Sequence, residues 1–241
     1  GTSWTEVADL NTARNNLAGL GISTSALGVG GDTPPGHISN TEIWNGSSWT
    51  EIADLTTSRS TLAASGTTSA GLAFSGYVAP SNTGKTELWN GTSWSETTDM
   101  SVARSQASGT GTQAASIAFG GEPPPTGTLT EEWNAGVAIG AWVTSGSMNT
   151  AKKLLGGFGT PTSALAFGGE TPDESRTAKT EEYNGTSWSE VSDLSSGKEQ
   201  ITGVGITTAG LAFGGEKPPG AVTNETESWN GSVWTEVGDL N

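Results

Sequence analysis

The sequence predicts an all-β protein, a five-bladed β-propeller built from four-stranded antiparallel blades. Three observations carry that expectation. The tryptophans Trp4, Trp49, Trp94, Trp142, Trp188 and Trp234 recur at intervals of 45, 45, 48, 46 and 46 residues, within the range of propeller blades. Each interval holds four short runs of small, β-branched or aromatic residues and no apolar stripe of helical period. Glycine is abundant, 36 of 241 residues, which suits strands crowded around a narrow axis.

One set of four runs comprises residues 15–22 and 25–30, split by Ser/Thr/Gly, and then 40–44 and 49–55, joined by Asn-Gly, a strong hairpin signal. The spacings inside the unit are stricter than the period. Ten residues after each of the first five tryptophans comes a base, Arg14, Arg59, Arg104, Lys152 and Lys198. Sixteen residues later comes Gly-Gly, with Ser75-Gly76 as the one variant. The distance from Gly-Gly to the next aromatic anchor drifts, and the third anchor, Trp133 to Trp142, carries four extra residues. Constant spacings mark a framework, and the drifting ones mark its loops.

The units fall at 4–48, 49–93, 94–141, 142–187 and 188–233, with a partial sixth copy at 234–241, all in one propeller domain. The run beginning at the second anchor Trp occurs six times and the other three runs five times. One terminal copy, 3–10 or 234–240, therefore completes the last blade. The other is surplus, displaced or paired with a neighbouring molecule, because an unpaired strand is a sticky edge. A six-bladed or longer array is the alternative. The start Gly1-Thr2-Ser3-Trp4 falls inside a motif that recurs later, as if cut from something longer, and no signal peptide is visible.

The order of base, apolar strand, Gly-Gly, Thr-Glu-x-aromatic-Asn and Trp resembles the kelch repeat. In the third unit it reads Arg104, Ala118-Phe119-Gly120-Gly121, Thr130-Glu131-Glu132-Trp133-Asn134 and Trp142, and the resemblance covers essentially the whole chain. It departs from the family where Tyr-Asp is usual and Trp-Asn stands here. The near-identical NGTSW and LAFGG units are also similar to repetitive kelch-like proteins of marine bacteriophages. That resemblance implies a virion or tail-fibre protein, in a virion or extracellular setting, whereas kelch proteins in general imply an intracellular interaction scaffold.

Composition narrows the function classes. There are 25 acids against 10 bases, a formal charge of −15, so no basic stripe exists for nucleic acid. No apolar run approaches the ~18 residues of a membrane span. With no Cys and one His, thiolate and His-cluster metal sites and Cys nucleophiles are excluded, and so is the Cys-modified Tyr on which copper-radical oxidases with kelch-like scaffolds depend. A Ser-His-Asp triad would rest on His37, which has no partner motif. Paired carboxylates for glycoside hydrolysis remain open among so many acids, but strict periodicity speaks against an active site, which breaks symmetry. The expectation is a non-enzymatic binding or structural module that needs no cofactor.

The repeated side chains have two readings each. The five bases form either an anion or acidic-sugar site or, with Glu42, Glu87, Glu131, Glu181 and Glu227 in step with them, a set of ion pairs; a buried base is seldom left unpaired, which favours the second. Trp44, Trp49, Trp89, Trp94, Trp133, Trp142, Trp188, Trp229 and Trp234 form either a glycan-stacking array or cross-strand and blade-to-blade packing, and their place beside the hairpin turn favours packing. Asn45, Asn90, Asn184 and Asn230 spell glycosylation acceptors, but Asn-Gly is what the turn itself asks for.

The segments after Gly-Gly vary in length and composition and are placed around the mouth of the channel. Loops on a rigid scaffold are where binding usually sits. The candidate ligand-binding residues are Asp32, His37, Tyr77, Glu122, Glu170, Asp173, Glu174 and Glu216. Asp32, Glu122, Glu170 and Glu216 would form a negative collar, either a cation site or a solvated rim. The expected partner is a glycan or protein on this face, with self-association through the surplus terminal strand as a further expectation.

Overall fold

The computed structural model describes residues 4–123, 126–136 and 140–240. Part of the third loop (Pro124 and Pro125), part of the third-anchor insertion (137–139) and Ser3 of the N-terminal strand copy lie outside them. The described residues form five four-stranded antiparallel sheets arranged as a five-bladed β-propeller. The first blade runs Ala18–Ile22, Ser25–Val29, Thr41–Trp44 and Trp49–Glu51 from the axis outward. The same order repeats from Ala63–Thr67 to Trp94–Glu96, Ser108–Gly111 to Ala141–Thr144, Gly156–Thr160 to Trp188–Glu190, and Thr202–Ile206 to Trp234–Val237. The inner strands pack against one another and line a central channel, where small residues such as Gly19, Ser65, Gly109, Gly157 and Gly203 leave room for neighbours.

The strands are shorter than the sequence runs that announce them. The outer strand of the first blade stops at Glu51 because the chain folds back on its own blade: Asp54 accepts from Thr41 N at 3.1 Å and Leu55 N donates to Ser39 O at 3.0 Å. The inner strand starts at Ala18 because Asn15 is diverted into a bridge with Asp32 and Asn16 is left-handed, with φ 53°. The C-terminal copy supplies the outer strand of the fifth blade, where Trp229 pairs with Trp234. Residues 4–10 form no strand.

Each aromatic of the anchor has its own task. The first one pins the turn between the two inner strands: the Trp44, Trp89, Trp133 and Trp229 indoles donate to Ser23 O, Thr68 O, Gln113 O and Thr207 O at 2.8–2.9 Å. The second pins the preceding blade, where Trp94, Trp142, Trp188 and Trp234 donate to the hydroxyls of Thr41, Thr86, Thr130 and Thr180 at 2.9–3.2 Å. The two anchor rings also touch within each hairpin, with centroids 5.0–5.7 Å apart. Such edge and tilted contacts add about 0.5–1.5 kcal/mol each to the area they bury. The Asn-Gly turn uses its own amide, since Asn45 Oδ1 accepts from the backbone of Ser47 and Ser48 at 2.9 Å while Gly46 sits at φ 94°.

Under each hairpin lies a buried ion pair. Arg14–Glu42, Arg59–Glu87, Arg104–Glu131, Lys152–Glu181 and Lys198–Glu227 stand 2.7–3.5 Å apart within their own blades, with both side chains essentially sealed from solvent. Burial lowers Arg104 to about 10 against the opposing pull of Glu131. The pairs hold because both ends have further partners. Arg59 donates to Lys85 O and Ala73 O, tying the two middle strands, and Glu87 accepts from Thr56 N at 2.7 Å, tying the chain as it enters the blade. Five of the ten bases are therefore consumed inside the framework.

Candidate functional site on the loop face

What varies from blade to blade lies on one face. After Gly-Gly the chain makes a bridge to the residue that follows the repeat base: Asn15 with Asp32, Ser60 with Tyr77, Ser105 with Glu122, Lys153 with Glu170, and Glu199 with Glu216. This places every loop beside the incoming strand around the channel mouth. Three loops continue as short hairpins, at Asp32–Thr33 with Gly36–His37, Tyr77–Val78 with Ser81–Asn82, and Glu216–Lys217 with Ala221–Val222. The third blade has a short 3-10 turn, Thr126–Thr128. In the fourth, Glu170 bridges Arg176.

The mouth itself is a cavity of 330 Å³ lined by five equivalent residues, Asn16, Thr61, Gln106, Leu154 and Gln200, and their neighbours. All five have left-handed backbones, with φ from 49° to 56°. For Thr61 and Leu154 in particular this is an uncommon conformation. A relay of backbone bonds holds it: Thr61 N donates to Asn16 O, Gln106 N to Thr61 O, Leu154 N to Gln106 O and Gln200 N to Leu154 O, at 2.8–3.0 Å.

Around this rim the candidate residues fall into two groups. On the first two blades His37 Nδ1 contacts Asp32 Oδ1 and lies 3.1 Å from Ser60 Oγ, and the His37 ring stands edge-on to Tyr77 at 5.3 Å. Burial raises Asp32, but hydrogen bonds from Asn16, His37 and Ser60 outweigh it and hold the carboxyl below its ordinary value. Serine, histidine and aspartate thus meet. They do not form a relay, because Ser60 and Asp32 address the same ring nitrogen and a triad needs one on each.

The second group spans the other three blades. Lys153 bridges Glu122 at 3.2 Å and Glu170 at 3.3 Å, beside a cleft of 140 Å³ that Thr171, Pro172 and Glu174 also line. Glu170 is hydrogen-bonded to Glu199, which Arg176 holds at 2.7 Å while also contacting Glu216. Burial, reinforced by the hydrogen bond and charge of Glu170, pushes Glu199 up to about 7 despite Arg176. Sharing that hydrogen bond holds Glu170 below its ordinary value, with Lys153 adding to the effect. Asp173 caps its own turn, accepting from Ser175 Oγ at 3.3 Å and from Thr171 Oγ1, and Glu174 is exposed with φ 61°.

Asp32, Glu122, Glu170 and Glu216, the four acids expected as a collar that is either a cation site or a solvated rim, do not gather into one cluster in this arrangement. Among the described residues no three His, Asp or Glu side chains stand together as a metal would need. Each of the four is drawn aside to a basic side chain: Asp32 to His37, Glu122 and Glu170 to the shared Lys153, Glu216 to Arg176. Sequence reasoning missed Ser60, Lys153, Arg176 and Glu199. Lys153 and Glu199 carried a signal, since they occupy a position that is Asn15, Ser60 or Ser105 in the other units, so the charge there breaks the repeat.

No helix among the described residues is long and apolar enough to cross a membrane. A scan against protein-family models matches none, and no curated protein matches the chain.

Proposed function

We propose that this chain is a non-catalytic binding module whose ligand, a neutral glycan or a protein surface, is met by the loop face. One observation carries the reading: the periodic bases and their partner glutamates are closed inside the framework, whereas the half-exposed charged and aromatic residues on the loop face differ from blade to blade. The periodic bases are all in sealed pairs. His37, Tyr77, Lys153, Glu170, Arg176 and Glu216 are partly exposed, asymmetric and held in position by neighbours. Rigid presentation of this kind lowers the ordering cost of binding. A ring-bearing site with fixed polar groups, as at Tyr77 and His37, suits a sugar face.

Catalysis is the weaker reading for two reasons of geometry. Glu170 and Glu199 are in hydrogen-bond contact, much closer than the roughly 5–9.5 Å between glycosidase carboxyls. Ser60 and Asp32 compete for one nitrogen of His37. Placement on a virion or tail fibre is part of the same proposal and rests on the NGTSW and LAFGG units; an intracellular scaffold is the alternative. Affinity electrophoresis in gels cast with neutral and acidic bacterial polysaccharides tests the glycan arm, and pull-down from host lysate tests the protein arm. Retention by neutral polysaccharide supports the proposal, and turnover of the polysaccharide to shorter chains would overturn it.

A further inference from the structure

The five blades are joined by four equivalent interfaces, and the place of a fifth interface, between the last blade and the first, is different. In the relay around the channel mouth each blade donates to the one before it, but among the described residues Asn16 N makes no bond to Gln200 O. A second relay behaves the same way. Gly31, Gly76, Gly121 and Gly169 donate to the carbonyls of Arg59, Arg104, Lys152 and Lys198 in the next blade, and Gly215 makes no such bond to Arg14. Thr226 Oγ1 is buried without a hydrogen-bond partner, although Thr41, Thr86, Thr130 and Thr180 each accept the next blade's indole. Val204 is 57% exposed, whereas its counterpart Phe158 in the fourth blade is 3% exposed and packs on the fifth.

Trp4 shows what this seam is shaped for. Across three interfaces the phenylalanine ending a second strand meets the outer-strand Trp of the following blade: Phe74–Trp142, Phe119–Trp188 and Phe167–Trp234, at 4.9–5.1 Å and 60–65°. Phe213 of the fifth blade meets Trp4 at 4.9 Å and 58°. Trp4 therefore stands where the outer-strand Trp of a blade after the fifth belongs. The first blade's own outer-strand Trp49 does not take that place. On the opposite wall Gly19 has open space, its nearest neighbour for an added Cβ being Leu27 O at 4.0 Å. At Gly109, Gly157 and Gly203 the same spot is filled by the phenylalanine of the preceding blade, 2.4–2.5 Å from such a Cβ.

We propose that the seam is a docking surface for one further three-stranded unit of this chain's own repeat type, with residues 4–10 completing it as the outer strand. The occupant's chemistry is set by both walls. Its inner strand must be small to receive Val204, its second strand must end in a phenylalanine for Gly19, and its third must open with threonine to accept the Trp49 indole. That is the pattern of the repeat itself. A second whole copy set blade five to blade one would instead bring Trp49 to Phe213 and expel Trp4.

The test is to append a duplicate of residues 57–91, whose second strand ends in Phe74 and whose third opens with Thr86, after Asn241, which then occupies the register of Thr56, beside a control carrying the same residues scrambled. Hydrogen exchange, thermal melting and sedimentation are measured on the unextended, extended and control chains, each with and without Trp4→Ala. The expected result is a monomeric extended chain in which amides of 202–206 and 18–22 exchange at least tenfold more slowly, with a higher Tm that Trp4→Ala lowers again. Unchanged exchange at 202–206 in the extended chain would overturn the proposal. So would an unextended chain that dimerises and protects 202–206 in the dimer, since a second copy would then be the occupant.

Discussion

The indole N–H of Trp142 donates to Thr86 Oγ1 at 3.0 Å across the boundary between the second and third blades, and its ring lies on Phe74 at 4.9 Å. One side chain thus supplies both a buried polar contact and an apolar one to a neighbouring sheet. Trp142→Phe keeps the ring and removes the donor, which leaves a buried hydroxyl short of a partner; the expected loss is about 1–3 kcal/mol. Trp142→Ala removes both and should cost about 3–5 kcal/mol. Urea denaturation of the two variants checks the order.

The threonine side of that contact gives a sharper comparison. Thr86 accepts an indole and Thr226, its counterpart in the fifth blade, accepts none. Thr86→Val should destabilise by about 1–3 kcal/mol because it strands the Trp142 N–H. Thr226→Val removes an unsatisfied buried hydroxyl and should be neutral or stabilising in the same denaturation experiment.

Two glycines at equivalent positions should respond in opposite ways. A Cβ on Gly109 would lie 2.5 Å from Phe74 Cζ and 2.8 Å from Ile117 O, so Gly109→Ala should cost about 1–3 kcal/mol through overpacking. Gly19→Ala has space and should leave the Tm unchanged or raise it, because the unfolded chain loses freedom. Differential scanning calorimetry separates the two.

The buried carboxyl Glu199 should make stability depend on pH near neutrality. Its folded value is raised from 4.5 to about 7, so between those values the folded chain binds more protons than the unfolded one. Stability then falls as pH rises through that window, by up to about 1.4 kcal/mol per pH unit. Glu170 is held low and acts only below the ordinary carboxylate value, where falling pH removes its contribution. Glu199→Gln should flatten the profile between pH 5 and 7, and a slope unchanged from the parent chain would refute the assignment.

The framework was legible because it repeats. Constant intervals from Trp94 to Arg104 to Gly120 identified the outer strand, the ion-paired base and the end of the second strand without any three-dimensional information. The loop face was much less legible, because its contacts join residues of different units whose identities do not recur. Lys153 meets Glu122 across 31 positions and Arg176 meets Glu216 across 40. The left-handed residues at the mouth were invisible for another reason: Asn16, Thr61, Gln106, Leu154 and Gln200 share a backbone bond rather than a side chain. The partners of the acidic collar were hidden too, because a repeated acid says nothing of the single bases inserted beside it.

The proposed division between a framework that holds the blades and a face that binds is tested most directly by the affinity of a loop-face variant for whichever neutral polysaccharide retains the parent protein. The variant combines His37→Ala, Tyr77→Ala and Arg176→Ala, and affinity electrophoresis measures it beside Trp142→Phe below the melting temperature of each. The predicted result is loss of retention in the loop-face variant, with its Tm within a few degrees of the parent, and full retention in Trp142→Phe. Retention that survives the loop changes and disappears with Trp142 would contradict the account.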